Sequence, residues 1–392
     1  MNKKILSWCL YDFANSSYSA VIAAVIFPVF YAGQIVGNEA GAGDLWWGRA
    51  ISMSMAVVAL TSPLIGGIAD YAGIRKKLLA LYTILSISAV ASLTFLQKGM
   101  AFEGFLLIVL ANIGMEGGLV FYNSFLPEIA QQDRQGRVSA WGYGVGYVGS
   151  IISLILALVL VKTGNLAAVW PMVALFFGLF SLPAFFFLPR DEGKGQVARA
   201  ARDGLRYTWT TLKKILSRRE QRRFLLAYLI YEDGVNTVIV FSSIFASTTL
   251  GFDPQELIGL YLTVQATALT GAFVMARPID NWGPKRVVVL SLFLWVFVSV
   301  AAFFIEAKAP FFVVASIAGL GLGTVQAATR AFYARFIPEG QETEYFGVYS
   351  LVGKSSAIMG PLLFGYLSSV FHSQRPAVLS VAVFFLLGLL IL

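Results

Sequence analysis

Cysteine and histidine are almost missing: the 392-residue chain has one of each, Cys9 and His372. A single cysteine excludes an internal disulfide framework and a cysteine-ligated metal centre. A single histidine excludes a histidine-cluster metal centre and argues against histidine-based catalysis. Charge is scarce as well. Asp, Glu, Lys and Arg make up 13% of the residues, against about 25% in soluble domains. What is abundant is apolar: 58% of the chain, with 14% aromatic. A disordered chain and an ordinary soluble enzyme are both excluded, which leaves a polytopic membrane protein.

The formal net charge is +8, but eleven cations and four acids fall between Arg190 and Arg223, so +7 belongs to one segment. The basic character is that of a single loop and is no signature of nucleic-acid binding. Within it Ala201, Leu205, Trp209, Leu212 and Leu216 recur at helical spacing. The segment is therefore either an amphipathic helix on an anionic leaflet or a solvated basic linker.

A helix needs about 20 mostly apolar residues to cross the hydrocarbon core. Twelve runs qualify, at roughly 5–36, 46–70, 77–97, 101–130, 138–162, 166–188, 223–249, 255–279, 286–306, 310–336, 345–371 and 376–392. The expected fold is all-α, with twelve transmembrane helices. The last run, Ala377–Leu392, covers about 24 Å at ~1.5 Å per residue, short of ~30 Å, so the final helix is expected to be truncated. Alternate connections carry the cations: Lys3, Lys4, Arg75, Lys76, Lys77, Arg134, Arg137, the central loop, Arg277, Lys285, Arg286, Arg330 and Arg335 hold 23 of 29. The positive-inside rule places these connections and both termini in the cytoplasm, for a chain expected in a prokaryotic cytoplasmic membrane. Asp12 and Asn15 interrupt the first apolar run, so it is read as a retained helix and not as a signal peptide.

The two halves repeat. Gly66, Asp70, Gly73, Arg75 and Lys76 after the second run recur as Ala276, Asp280, Gly283, Lys285 and Arg286 after the eighth, all offset by 210. Phe125-Leu126-Pro127-Glu128 recurs as Phe336-Ile337-Pro338-Glu339, and Asp12-x-x-Asn15 as Asp233-x-x-Asn236. Six spans separate each pair, so the repeats share one orientation: two pseudo-symmetric six-helix bundles, 1–189 and 223–392, joined by the linker 190–222. Parallel six-helix halves are the arrangement of the major facilitator superfamily. In the loop motif the cations set topology, Gly73 and Gly283 permit a tight turn, and Gly66 allows close helix approach. Asp70 is expected to accept from the N–H groups that open the third helix. The loop reads either as a conformational latch or as a topology signal with a turn.

The segments Tyr11-Asp12-Phe13-Ala14-Asn15-Ser16-Ser17-Tyr18, Phe121–Ala130, Tyr231-Glu232-Asp233-Gly234-Val235-Asn236-Thr237 and Gly353-Lys354-Ser355 make the chain similar to the vacuolar-effluxer-like family. That branch of the superfamily is named for an autophagy-related fungal vacuolar amino-acid exporter. The resemblance covers nearly the whole chain. It implies an export-type transporter with amino acids as the substrate class, and a cavity lined by helices 1, 4, 7 and 10. Glu232 departs from the family pattern, in which many members carry a neutral or amide residue.

Ionisable groups inside spans are costly and mark function by default. They fall on those same helices: Asp12 and Asn15 on the first; Asn112, Glu116 and Asn123 on the fourth; Glu232, Asp233 and Asn236 on the seventh; Gln326 and Arg330 on the tenth. Lys354 adds a cation on the eleventh. Asn15, Tyr18, Asn123, Asn236 and Gln326 are read as substrate-binding. Asp12, Glu116, Glu232, Asp233, Arg330 and Lys354 are read as coupling or gating groups. Asp233 is expected to pair with Lys354 or Arg330, either as a gate or as a static packing pair. Gly142, Gly144, Gly146 and Gly149, like Gly319, Gly321 and Gly323, read as close helix packing, because no strand precedes them to make a nucleotide loop. Trp46, Trp47 and Trp170 lie near span ends, which suits interfacial anchoring. Cys9 and His372 are read as inert and structural.

The functional expectation is secondary transport of a small polar solute, an amino acid or related metabolite, by alternating access, coupled to protons or uncoupled. Mixed charges suit a zwitterion better than an uncharged sugar. The expected partners are solute, protons and bilayer, for a monomer without cofactor or metal. A membrane-embedded enzyme would need a nucleophile or metal constellation that the sequence does not offer. A receptor or scaffold would not need cavity polarity repeated in both halves.

Overall fold

The computed structural model describes residues 2–130, 135–191, 206, 209–337 and 342–392. The apolar runs fold as helices: α1 (Lys3–Val36), α2 (Ala42–Ala72), α3 (Arg75–Phe95), α4 (Ala101–Ser124), α5 (Gln135–Lys162), α6 (Leu166–Phe187), α7 (Arg219–Leu250), α8 (Pro254–Asn281), α9 (Pro284–Phe304), α10 (Lys308–Ala334), α11 in two pieces, α11a (Glu342–Ser355) and α11b (Met359–Phe371), and α12 (Gln374–Ile391). Among the described residues ten helices are long and apolar enough to cross a membrane. Large apolar side chains such as Leu60, Phe95, Phe186, Phe273 and Leu390 stand exposed. Such surfaces are stable when lipid is the solvent, since helices satisfy their own backbone groups there.

The chain divides into two compact units, one of residues 1–31 and 53–207, the other of 32–52 and 208–392. In the first, α1 packs on α5 and α6, and α3 packs on α4 and α6. In the second, α7 packs on α11 and α12, and α9 packs on α10 and α12. Each pairing recurs six helices later, so the sequence repeat is a repeat of packing. α2 is continuous, yet its first turns belong to the second unit and the remainder to the first.

Two helices are irregular just ahead of a proline. A proline has no N–H and crowds the carbonyl four residues back. Ahead of Pro28, α1 is wound as a π-helix over Tyr18–Val25, and the Ile26 N–H reaches back five residues to the Val21 carbonyl at 3.1 Å. Ahead of Pro361 the eleventh span, expected as one helix over 345–371, breaks between Ser355 and Met359.

Other sequence expectations are corrected by burial. Trp47 and Trp170 are buried in protein and do not sit at an interface. The Trp47 indole N–H donates to the Val240 carbonyl at 3.2 Å, and Trp170 packs edge-on to Phe27 at 5.0 Å. Gly142, Gly146 and Gly149 of α5 do lie at close helix contacts, but Gly144 faces open space. In the basic segment, Ala201 and Leu205 lie outside the described residues, while 209–217 is helical. Thr211 and Ile215 are its buried side chains and Trp209 is exposed beneath the Lys213 ammonium.

Candidate functional site

The polar side chains of α7 converge on the break in α11. A helix that restarts inside a span exposes N–H groups that lipid cannot satisfy. Asp233, 4% exposed, supplies the acceptor: its Oδ1 takes the Gly360 N–H at 2.8 Å. One turn further, the Asn236 amide donates to Ser356 Oγ at 3.2 Å, within the break itself. Thr237 Oγ1 donates to the Asp233 carbonyl at 2.6 Å. A Cβ at Gly360 would overlap Thr237 Oγ1 and stand 2.7 Å from Asp233 Oδ1, so only glycine fits there. The expected ion pair is thereby corrected: Oδ1 of Asp233 is committed to the N-terminus of α11b and not to Lys354 or Arg330. A carboxylate at that end is also favoured by the helix dipole.

Glu232 is half-buried beside Asp233, and Lys354 is half-buried in the last turn of α11a. Gln326 and Arg330 are exposed, one turn apart on α10.

The first unit carries a related arrangement. Asn15 Nδ2 donates to Asp12 Oδ1 at 3.4 Å, and Ser16 Oγ donates to the Asp12 carbonyl at 2.7 Å. A Cβ on Gly146 of α5 would stand 2.9 Å from Ser16 Oγ and 3.3 Å from Asp12 Oδ2. An aspartate and a hydroxyl of α1 thus meet a glycine of α5, as an aspartate and a hydroxyl of α7 meet a glycine of α11. Deeper in α1, where the π-helix begins, the Tyr18 hydroxyl donates to Asn112 Oδ1 at 3.3 Å, and Asn112 Nδ2 donates to Ser54 Oγ at 2.7 Å. Glu116, one turn along α4 from Asn112, is half-buried and lies within electrostatic reach of Tyr18. Asn123 is exposed near the end of α4.

The loop motif after α2 is held by groups from elsewhere in its unit. Arg75 donates through Nη2 to Glu128 at 2.7 Å and through Nη1 to the Ser124 carbonyl at 3.1 Å, joining two sequence motifs. The N-cap of α3 is Ile74, which cannot cap with its side chain. The Lys76 and Lys77 N–H groups are accepted instead by Asp191, at 2.9 and 3.0 Å, and Lys76 Nζ donates to the Leu188 carbonyl at 2.9 Å. That acceptor was expected to be Asp70; the side chains of Gly66 and Asp70 lie outside the described residues. Gly73 and Gly283 take φ of +62° and +88°, values open to glycine at little cost. Asp280, Lys285 and Arg286 are exposed. Among the described residues, no group of three or more His, Cys, Asp or Glu could hold a metal ion.

Sequence reasoning missed three features: the break in α11, the capping role of Asp191, and Asp44 in the first turn of α2. Pro361 was the available signal for the first. Asp44, fully buried, was passed over because it stands two residues before the apolar run.

Residues 49–392 match the family described as vacuole effluxer Atg22 like. The chain is 29% identical to the uncharacterized MFS-type transporter YxiO of Bacillus subtilis (strain 168), over 98% of this chain and 93% of that one. It is 23% identical to autophagy-related protein 22-1 of Penicillium rubens, over 85% of this chain and 72% of the relative. Among solved structures it resembles the nucleoside transporter NupG (TM-score 0.74, 14% identity, 100% of this chain and 98% of that one). It also resembles the human organic anion transporter MFSD10 (TM-score 0.69, 15% identity, 100% and 99%). These likenesses give the fold, a twelve-helix major facilitator fold, and make this a multi-pass membrane protein. With 344 of its 392 residues inside the matched region, the chain belongs to the vacuole effluxer Atg22-like family.

Proposed function

We propose that this protein is a secondary transporter that moves a small polar solute, an amino acid or related metabolite, by alternating access with proton coupling, and that it is not an enzyme. The observation that carries this reading is the carboxylate of Asp233 seated in a helix broken inside a span. Discontinuous helices are where transporters of this kind place solute and coupling ions. A carboxylate caps a helix end more strongly when ionised than when protonated, so a proton weakens that end, which couples protonation to movement of α11b. Asp12, packed in the same way against α5, would serve the other half. Glu116, Glu232, Arg330 and Lys354 complete the coupling and gating set. Asn15, Tyr18, Asn123, Asn236 and Gln326 supply hydrogen bonds to solute. Carboxylates attract an ammonium group, and Arg330 or Lys354 a carboxylate, so a zwitterion fits the charges. The amino-acid class itself rests on the family.

In this reading the loop residues Gly66, Asp70, Gly73, Arg75, Lys76, Asp280, Gly283, Lys285 and Arg286 latch one conformation. The functional halves are 1–189 and 223–392, with 190–222 as linker. The monomer lies in a prokaryotic cytoplasmic membrane with its termini and basic connections in the cytoplasm. The test is flux of labelled neutral amino acids into proteoliposomes under an imposed pH gradient, for the parent chain and for Asp12→Asn, Glu116→Gln and Asp233→Asn. Loss of gradient dependence in at least one variant is expected. Full gradient-driven flux in all three would overturn the coupling assignment, and parental flux indifferent to the gradient would leave an uncoupled facilitator.

A further inference from the structure

Asp44 belongs to none of the groups above, yet it is the most heavily bonded carboxylate among the described residues. It is 0% exposed. Its Oδ1 accepts from Asn38 Nδ2 at 2.8 Å and from Gln374 Nε2 at 3.0 Å; its Oδ2 accepts from Gln374 Nε2 at 2.8 Å and from the Ser368 hydroxyl. The Asp44 N–H returns a bond to Asn38 Oδ1 at 3.0 Å. The outer ring continues with Asn38 Nδ2 at 3.4 Å from Thr248 Oγ1, and with Thr249 Oγ1 donating to Gln374 Oε1 at 2.7 Å. One carboxylate therefore joins the α1–α2 connection and the start of α2 to the end of α11b, the start of α12 and the last turn of α7.

The backbones are drawn together at the same place. A Cβ on Gly41 would stand 2.5 Å from the Ser368 carbonyl oxygen, and one on Gly365 would stand 2.6 Å from that of Asp44. The seam runs on along α2, through the Trp47 indole on Val240, to Ser52, whose hydroxyl donates to the Ile358 carbonyl at 2.7 Å. Ile358 lies in the break of α11, next to the helix end that Asp233 caps.

Two features make this seam a device and not simply packing. First, among the described residues every partner of Asp44 is neutral. The nearby cation Arg375 is spent on the Phe303 and Ile305 carbonyls, and His372 Nδ1 lies 3.3 Å from the Ala40 carbonyl. Hydrogen bonds from neutral groups to a carboxylate are each worth ~1.5–3 kcal/mol, enough to hold the latch and still be exchanged for water when it opens, whereas an opened apolar seam would expose its surface. Second, the seam coincides with the division of α2: residues up to Ser52 group with 208–392, and those from Met53 group with 1–31 and 53–207. α2 does not stretch. Release of the seam would free the first turns of α2 from α11b, both within the second unit.

We propose that Asp44 is a gating residue of the transport cycle. Held by Asn38, Ser368 and Gln374, it latches residues 32–52 onto α7, α11b and α12 and keeps the face opposite the basic connections closed; release of that latch opens the face. The proposal rests on the transport reading given above.

The experiment uses the full chain in proteoliposomes, with Cys9→Ala to remove its one thiol and Ser52→Cys to place a reporter in the seam, at a position 5% exposed. The labelling rate is measured with a membrane-impermeant maleimide added to the face opposite the basic connections. Asp44→Asn should raise that rate roughly tenfold or more, the effect of losing hydrogen bonds to a charged group. Ser368→Ala, which leaves the amide bonds in place, should raise it about severalfold. Ser368→Ala is readable even if Asp44→Asn fails to fold. An unchanged rate in folded Ser368→Ala or Asp44→Asn protein overturns the latch. The assay needs no solute. A raised rate with no flux of any solute would retain the latch and refute the transport reading; gradient-driven flux with an unchanged rate would do the reverse.

Discussion

Replacing Gly360 by alanine should destabilise the protein by about 2–4 kcal/mol, and the reason lies in how α11b begins. The new methyl would overlap Thr237 Oγ1 and stand 2.7 Å from Asp233 Oδ1 and 2.9 Å from the Asp233 carbonyl oxygen. Thr237 cannot turn away freely, because its hydroxyl donates to that carbonyl at 2.6 Å. Turning it sacrifices a buried hydrogen bond, ~0.5–1.5 kcal/mol, and shifting Asp233 sacrifices the charged bond from the Gly360 N–H, ~1.5–3 kcal/mol. Overpacking adds ~1–3 kcal/mol. The cheaper route, turning Thr237 with some overpacking, sets the estimate. The measurement is reversible unfolding in mixed detergent micelles followed by circular dichroism. Thr237→Ala removes the overlapped oxygen, so the double variant should be less destabilised than the sum of the singles by ~1 kcal/mol or more. Gly347→Ala in α11a, with nothing within 4 Å of its Cβ, is the control and should be neutral or slightly stabilising. A Gly360→Ala protein as stable as its parent, or strict additivity with Thr237→Ala, would refute the capped-break geometry.

Three further predictions use the same assay. Gly323→Ala should cost more than ~2 kcal/mol, because its Cβ would overlap the Ala268 backbone of α8, whereas Gly144→Ala, facing open space, should not destabilise; equal effects would contradict the packing of α10 on α8. Asp191→Ala should cost ~1 kcal/mol, the worth of a helix cap, through the Lys76 and Lys77 N–H groups; no loss would leave α3 capped by something else. Asn112→Ala should cost ~1–3 kcal/mol by stranding the Tyr18 hydroxyl at the π-helical turn of α1, and a variant indistinguishable from the parent would show that the Tyr18–Asn112–Ser54 chain bears no load.

The twelve segments were legible in the sequence because bilayer thickness forces apolar runs of a set length, and no tertiary detail can override that. The repeat was legible because Asp12, Asn15, Asp233 and Asn236 stand at matching places in chains that must bury them. The partners were not legible. A buried aspartate with cations on other spans suggests an ion pair, but the break ahead of Pro361 offers Asp233 the Gly360 backbone N–H without the desolvation penalty of a second charge, and that donor wins. Asp191 looked like one acid in a basic loop, and only the fold brings it to the start of α3. Asp44 looked like the polar flank of a span. Its importance comes from Ser368 and Gln374, more than 320 residues away in the chain. The glycines of α5 show the same limit: spacing marked them as a packing stripe, but one of the four, Gly144, lies off it.

Alternating access is tested most directly by solute exchange. Proteoliposomes loaded with a concentrated mixture of unlabelled amino acids and diluted into trace label would be followed by filtration. A transient accumulation of label above its equilibrium level, abolished by the unlabelled counterpart outside, is the predicted result. Folded protein that gives no such overshoot, with amino acids or with other small polar metabolites, would contradict the claim that this chain is a transporter of such solutes.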